Sequence, residues 1–296
     1  MAELPELSEL ERLEQVILRE SGIADLSPLL KIPALQELEV KGCPYANVVP
    51  SLAPMQTLMR LKLSGEFHNK DADFLVGLGR LHYLSLRGFG KVADLSPLTT
   101  LHQLRNLTLD SLTRVYRLPS LNVLSKLTNV KLISMANLRD IDGLHGATSI
   151  TVLWLNQCKE LTNLSALETL TGLESLMLHM KSDYTEVPSL ERLTMLKTLI
   201  VHGAPQLQDL SFLRGMTWIE EVHIRHLKSL TDVSTLKTLS GLKILSIYNC
   251  ESLSDITPLF ALKSLQSLSI FSCRNVGKSS AKGLKAALPK CFVRVW

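Results

Sequence analysis

Four histidines in the second half of the sequence are the residues whose type and spacing first suggest chemistry: His179, His202, His223 and His226, the last two flanking Arg225. Imidazole is a common zinc ligand, and His179 and His202 would lie on adjacent predicted strands, within reach of one ion. No carboxylate or thiol is placed to complete such a site, and His226 lies beyond its strand. We therefore expect a polar, pH-sensitive contact surface here and no metal.

The five cysteines do not have the spacing of a metal-binding or redox motif. Cys43, Cys158, Cys250 and Cys273 all fall at one position of an internal repeat. We expect small buried thiols in a reducing compartment, although the neighbouring positions of Cys250 and Cys273 leave a disulfide open. Cys291 has no local partner signature for a nucleophile.

Motifs that would bind phosphate or perform catalysis are missing. The Gly-Lys-Ser at residues 277–279 has Ser272 where a P-loop needs its first glycine. The run GFGKVA at residues 88–93 is followed by DLSPL, a turn, and not by the helix that would hold a pyrophosphate. No H-E-x-x-H or G-x-S-x-G occurs. The sequence therefore predicts a protein that is not an enzyme and needs no cofactor.

The element that positions all these residues is a repeat of the pattern L-x-x-L-x-L. The first interval is 22 residues (35 minus 13), and the ten that follow are each 23. The twelve copies start at Leu13, Leu35, Leu58, Leu81, Leu104, Leu127, Ile150, Leu173, Leu196, Ile219, Leu242 and Leu265. Alternation over six residues predicts a strand with one buried face.

The second half of each copy follows a spacing of three, as in Leu253, Ile256, Leu259 and Leu262. This spacing, with prolines inside DLSPL and DITPL, favours a 3₁₀-like or extended segment over a long helix. Stacked copies would form one solenoid of about twelve repeats with a parallel β-sheet on the concave side and the short segments on the convex side. We expect an N-terminal cap at residues 1–12, the solenoid at 13–276 and a helical C-terminal cap at 277–296.

Copies such as LSIYNCESLSDITPLFALKSLQS and LWLNQCKELTNLSALETLTGLES resemble the leucine-rich-repeat superfamily over nearly the whole chain. These copies resemble the short-repeat branch that includes internalins and certain protein-phosphatase regulatory subunits, and the segment CESLSDITPL most resembles the 23-residue repeats of trypanosomatid leucine-rich-repeat proteins. The resemblance implies an α/β fold, a right-handed curved solenoid, and a binding role in place of catalysis. Repeat motifs specify the scaffold and say little about the partner.

The chain departs from that superfamily eight residues after each copy begins, where Asn or Cys would bond neighbouring backbone. The column reads Ser21, Cys43, Glu66, Phe89, Leu112, Met135, Cys158, Lys181, Ala204, Leu227, Cys250 and Cys273. The polar ladder is interrupted, which leaves open how the backbone of the middle copies is bonded.

Side chains on the free face of the predicted sheet should form stripes, because equivalent residues of neighbouring strands lie roughly 4.8 Å apart. Trp154, Met177 and Ile200 are consecutive in one stripe. An exposed apolar ridge with a tryptophan is typical of a protein interface. The predicted partner-binding residues are Ile133, Val152, Trp154, Met177, His179, Ile200, His202, His223, Arg225, Tyr248 and Phe271.

The first half of the chain carries a basic patch, which consists of Arg60, Lys62, Arg87, Arg105 and Lys131. Residues 274–296 add six bases and no acid. These features define an alternative function, a ribonucleoprotein subunit that contacts RNA phosphates through the patch and the cationic cap.

Composition agrees with a packed globular chain, since 46% of the 296 residues are hydrophobic and the net charge is only +4. The acidic start MAELPELSELERLEQ predicts neither a signal peptide nor a transit peptide, and no apolar run is long enough to span a bilayer. We expect a cytoplasmic or other intracellular protein. The sequence favours a non-catalytic scaffold or adaptor subunit of a larger intracellular assembly, with a protein partner on its concave face.

Overall fold

Each copy of the motif forms a five-residue β-strand in the computed structural model, which describes residues 4–180 and 187–295. The alternation sorts side chains between the two faces of the strand, as shown by Leu153 and Leu155, which are 0% and 2% exposed. Trp154, between them, is half-buried and points to the opposite face. The predicted strands are confirmed, and their inward positions are buried except in the first strand, where Val16 and Leu18 are only partly buried.

The chain divides into two compact units, Met1–Ile150 with Cys158–Asn163 and Thr151–Gln157 with Leu164–Trp296. In the first unit, parallel strands pair in chain order: β1 (Gln15–Arg19), β2 (Glu37–Lys41), β3 (Arg60–Ser64), β4 (Tyr83–Arg87), β5 (Asn106–Asp110) and β6 (Asn129–Ile133). In the second they are β7 (Val152–Asn156), β8 (Ser175–His179), β9 (Thr198–His202), β10 (Glu221–Arg225), β11 (Ile244–Tyr248), β12 (Ser267–Phe271) and β13 (Phe292–Val295).

Short 3₁₀ helices lie in the connections between strands, as the spacing of three predicts. In DLSPL the Asp94 carboxylate accepts a hydrogen bond from the Ser96 N–H at 2.7 Å, and Pro97 occupies the first turn. The described 3₁₀ helices are Ser27–Lys31, Asp73–Leu75, Ser96–Thr100, Leu121–Val123, Asp142–Leu144, Ser165–Thr169, Ser211–Leu213, Ser234–Thr238 and Thr257–Ala261.

The residue that directly follows a strand commonly adopts a left-handed backbone conformation, with φ of 60° at Ser111, 58° at His226 and 52° at Asn249. Its N–H donates to the last carbonyl of the next strand, over 3.0 Å from Ser111 to Ile133 and 2.8 Å from His226 to Tyr248. Main-chain bonds therefore continue in copies whose eighth position is apolar, and no polar side-chain ladder is needed. Lys181 of that column lies outside the described residues.

The run GFGKVA serves packing. Gly88 has φ +80°, and a side chain there would collide with the carbonyl oxygen of Gly65. The next residue, Phe89, is fully buried and stacks on Phe67 and Phe74 with ring centroids 4.5 and 5.4 Å away. A 3₁₀ helix follows this turn, so the run lacks the α-helix N-terminus of a dinucleotide site.

A ten-residue helix, α1 (Lys278–Ala287), lies within residues 277–296 and buries Leu284, and Leu288 directly after the helix is also buried. The sequence did not predict β13, which follows α1 and pairs in parallel with β12. Lys290 stands where the motif would need its first apolar residue, and the helix lengthens the spacing, so the periodicity gives no signal there.

Candidate functional site

Trp154, Met177 and Ile200 form an apolar row on the outward side of the second unit. Trp154 lies directly opposite Met177 in the pairing of β7 with β8, and Met177 lies opposite Ile200 in the pairing of β8 with β9. All three are half-buried, whereas Leu176 and Leu199, on the opposite face of their strands, are fully buried. The row is therefore a surface feature that the core does not require.

Two other predicted contact residues lie at the ends of strands, Val152 in the second unit and Ile133 in the first. Val152 begins β7, two residues before Trp154 on the same face, and is half-buried. Ile133 ends β6 in the first unit, opposite Asp110 of β5, and is half-buried.

Three imidazoles and a phenol stand ring to ring at the carboxyl ends of β8 to β11, and we call this group the ring ladder. The ring centroids of His179 and His202 are 4.0 Å apart, those of His202 and His226 4.8 Å, and those of His226 and Tyr248 5.3 Å. His226 thus joins the cluster although it lies one residue beyond β10. Its left-handed backbone, which the sequence pattern does not reveal, occurs at the point where its ring meets that of His202.

Neutral amides hold the outer imidazoles of the ring ladder. The Asn156 Oδ1 lies 2.7 Å from Nδ1 of His179, and the Asn249 side-chain amide donates to Nδ1 of His226 over 2.9 Å. Sequence reasoning did not identify either asparagine.

Two imidazoles of the ring ladder, those of His179 and His202, have lowered pKa values. Burial, reinforced by His179, His226 and Arg225, lowers the pKa of His202 to about 4. Burial and the charge of His226 also lower the pKa of His179. His202 is therefore neutral at physiological pH.

His223 lies apart from the ring ladder, on the outward face of β10. Its Nδ1 contacts the Ser246 hydroxyl on β11, and its Nε2 lies 2.7 Å from the Glu221 carboxylate. This serine–histidine–glutamate contact was not recognised in the sequence, because Ser246 is 23 residues from His223 and meets it only through strand pairing. β10 and β11 are each paired on both sides, so their amides are engaged in the sheet and do not form an oxyanion hole.

Arg225, Tyr248 and Phe271 occupy one row across β10, β11 and β12. Arg225 and Tyr248 are exposed, and Phe271 is half-buried. This row continues the positions of His179 and His202, so aromatic and cationic side chains line the strand ends of the second unit.

Acidic side chains neutralise much of the predicted basic patch. Arg60 lies 3.4 Å from Glu37, and Lys62 lies 3.6 Å from Glu39. Arg60 and Lys62 also stand over the Tyr83 ring, 4.9 and 5.6 Å from its centroid.

The same compensation occurs at Arg87, which lies 3.3 Å from Asp110. Arg105 is exposed and Lys131 is half-buried. The neutralising acids occupy outward positions of neighbouring copies, so the sequence already contained the signal that the patch has mixed charge.

All five cysteines are free thiols. Four are buried, and Cys291 is partly exposed. A hydrogen bond with Cys273, together with burial, raises the pKa of Cys250, so this thiol is protonated at neutral pH.

Within residues 4–180 and 187–295, no three His, Cys, Asp or Glu side chains are grouped as a metal would require. In the same residues, no helix has the length and apolar character needed to cross a bilayer.

Comparison with known proteins identifies the fold. No protein-family model and no curated protein matches the sequence. An internalin (inlF) from Listeria monocytogenes is 21% identical, with a TM-score of 0.75 over 96% of this chain and 80% of the internalin chain. The leucine-rich-repeat domain of the type III effector XopL is 18% identical, with a TM-score of 0.50 over 92% of this chain and 79% of its own.

A third similar structure is TLR13 in complex with ssRNA13, which is 20% identical with a TM-score of 0.58. The match covers 90% of this chain but only 48% of the TLR13 chain. These likenesses confirm the predicted class: the fold is the leucine-rich-repeat fold, with internalin-like repeats, short 3₁₀ connections and a C-terminal helical cap.

Proposed function

We propose that this chain is a non-catalytic interaction module that binds a protein partner on the outward face of its second unit. The observation that carries the proposal is the apolar row of Trp154, Met177 and Ile200, in direct register on three consecutive strands. Half-buried apolar side chains that no core position requires favour burial against another molecule. The row contains a tryptophan, one of the residue types that most often anchor an interface.

The strand-end row widens this surface. Arg225, Tyr248 and Phe271 present the side-chain types that are enriched in protein interfaces. Together with the ring ladder they give the partner a rim of hydrogen-bonding and aromatic groups beside the apolar row. We further propose that the chain acts as an adaptor subunit in a larger assembly, so that any catalytic activity belongs to its partners.

An intracellular location is part of the same proposal. Five free thiols, four of them buried, suit a reducing compartment better than an oxidising one.

The ribonucleoprotein alternative receives less support. A phosphate-binding surface needs uncompensated cations, whereas Arg60, Lys62 and Arg87 already face Glu37, Glu39 and Asp110. The single-stranded RNA in the TLR13 structure is a ligand of that protein, and a shared fold does not imply that this chain binds RNA.

The experiment is site-specific photo-crosslinking in native lysate. Benzoylphenylalanine replaces Met177 on the outward face or Met195, an exposed methionine in the turn before β9. The proposal expects a discrete protein crosslink from position 177 and none from position 195. Equal crosslinking from both positions, or from position 195 alone, would overturn the assignment of the face.

A further inference from the structure

The ring ladder brings together three groups that can accept protons. Its three imidazoles lie ring to ring near the Arg225 guanidinium, and within residues 4–180 and 187–295 none of them forms a hydrogen bond or ion pair with a carboxylate. From this geometry we propose that the ring ladder and Arg225 bind an acidic segment of a protein partner, with its aspartate or glutamate side chains over the imidazoles. This inference rests on the proposed function and names the chemistry of the partner.

The charges around the ring ladder support an anionic partner. On β10 the flanking groups are Arg225 and the Glu221 carboxylate, which is already engaged by His223. Beyond β11, Glu251 pairs with Lys228 at 3.4 Å. β8 begins beside Glu174, which pairs with Lys197 at 3.2 Å.

The remaining strands add no negative charge at this rim. β7 contributes the neutral Asn156, β11 the phenol of Tyr248, and β12 the ring of Phe271 followed by Arg274. The carboxylates of Glu174, Glu221 and Glu251 are therefore each paired with a cation or an imidazole.

The imidazole of His202 is the centre of the site. It contacts rings on both sides, and within the described part of the chain it forms no hydrogen bond or ion pair with a carboxylate. A carboxylate placed above it would favour the imidazolium, which donates an N–H to the carboxylate oxygen after taking a proton from water. Arg225, which needs no proton, would supply a permanent charge for a second carboxylate.

The sign of the pH dependence follows from proton uptake. Burial and the neighbouring charges lower the pKa values of His179 and His202 in the free protein, and a bound carboxylate would act in the opposite direction. Binding therefore takes up protons, so the affinity rises as the pH falls toward the pKa of His202 in the free protein, which is about 4. Each proton taken up contributes up to about tenfold in affinity per pH unit.

The test measures binding of a fluorescent glutamate-only peptide of about ten residues at constant ionic strength, between about pH 7.5 and about pH 5.5. We expect the affinity of the wild-type protein to rise about tenfold or more over that range. His202→Gln should remove most of the rise, and Arg225→Gln, whose side chain is exposed, should weaken binding at every pH without altering the fold. His145→Gln, an exposed histidine of the first unit, is the matched control and should bind like the wild type.

Several outcomes would overturn the inference. These are peptide binding that does not depend on pH, a His145→Gln variant as impaired as His202→Gln, and wild-type affinity in Arg225→Gln. The inference would also be wrong if an oligonucleotide of equal charge bound to the wild-type protein but not to His202→Gln, while the peptide did not bind. If the protein crosslinks from position 177 but does not bind the peptide, this inference is wrong and the proposed function is unaffected.

Discussion

The imidazole rings of His179 and His202 lie 4.0 Å apart at directly opposed positions of two parallel strands. The 23-residue period places them there, because equal offsets in successive copies meet across the sheet. The same rule aligns Trp154 with Met177, so one repeat arranges both the ring ladder and the apolar row.

Acid should destabilise the protein partly through His202. Its folded-state pKa of about 4 is below the ordinary 6.5, so the unfolded chain binds the extra proton. The contribution of this group is intact above about pH 6.5 and is lost as the pH falls toward about 4. Urea unfolding across this range should show a shallower decline for His202→Gln than for the wild type, and identical slopes would contradict the burial of this imidazole.

Neighbouring positions on β7 should respond oppositely to substitution. Leu155 is 2% exposed, and Leu155→Asp places an unpaired charge in the core at a cost of several kcal/mol, a large part of the roughly 5–15 kcal/mol that stabilises a domain. Trp154→Ala should remain folded, because the indole faces outward. Circular dichroism melts distinguish the two, and a stable Leu155→Asp variant would refute the stacking of the repeats.

Two glycines of the first unit provide a matched test of the turn at residues 88–93. Gly88→Ala should cost more than about 1 kcal/mol, since the residue has φ +80° and its new Cβ would strike the Gly65 carbonyl. Gly79 has open space around it and no positive φ, so Gly79→Ala should change the free energy of unfolding of the protein by less than about 0.5 kcal/mol. Chemical denaturation measures both, and equal effects would disprove the close approach.

The contact of Ser246, His223 and Glu221 should not produce a reactive serine. Because the main-chain amides of β10 and β11 are engaged in strand pairing, they do not stabilise an oxyanion. A fluorophosphonate probe should leave Ser246 unlabelled in intact protein, as judged by peptide mass spectrometry. Labelling of the wild-type protein that is lost in Ser246→Ala would contradict this prediction and indicate a hydrolase function.

Periodicity was sufficient to predict the strands, the 3₁₀ connections and the outward position of Trp154, because each depends only on spacing along one copy. It could not predict that His226 joins the ring ladder, since that depends on a left-handed backbone at a non-glycine residue. It missed β13 because Lys290 breaks the motif. The neutralisation of Arg60 by Glu37 was readable from the sequence, because both residues occupy the same position of consecutive copies and therefore face each other across β2 and β3.

The central claim is that the outward face of the second unit holds a protein partner, and the affinity of Trp154→Ala for the crosslinked partner tests it most directly. Calorimetry should show a loss of about 2 kcal/mol or more, roughly thirtyfold in Kd, with the melting temperature of the module preserved. Tyr116→Ala, which removes an exposed aromatic from the first unit, should bind like the wild type. Unchanged affinity in Trp154→Ala, or an equal loss in Tyr116→Ala, would contradict the account.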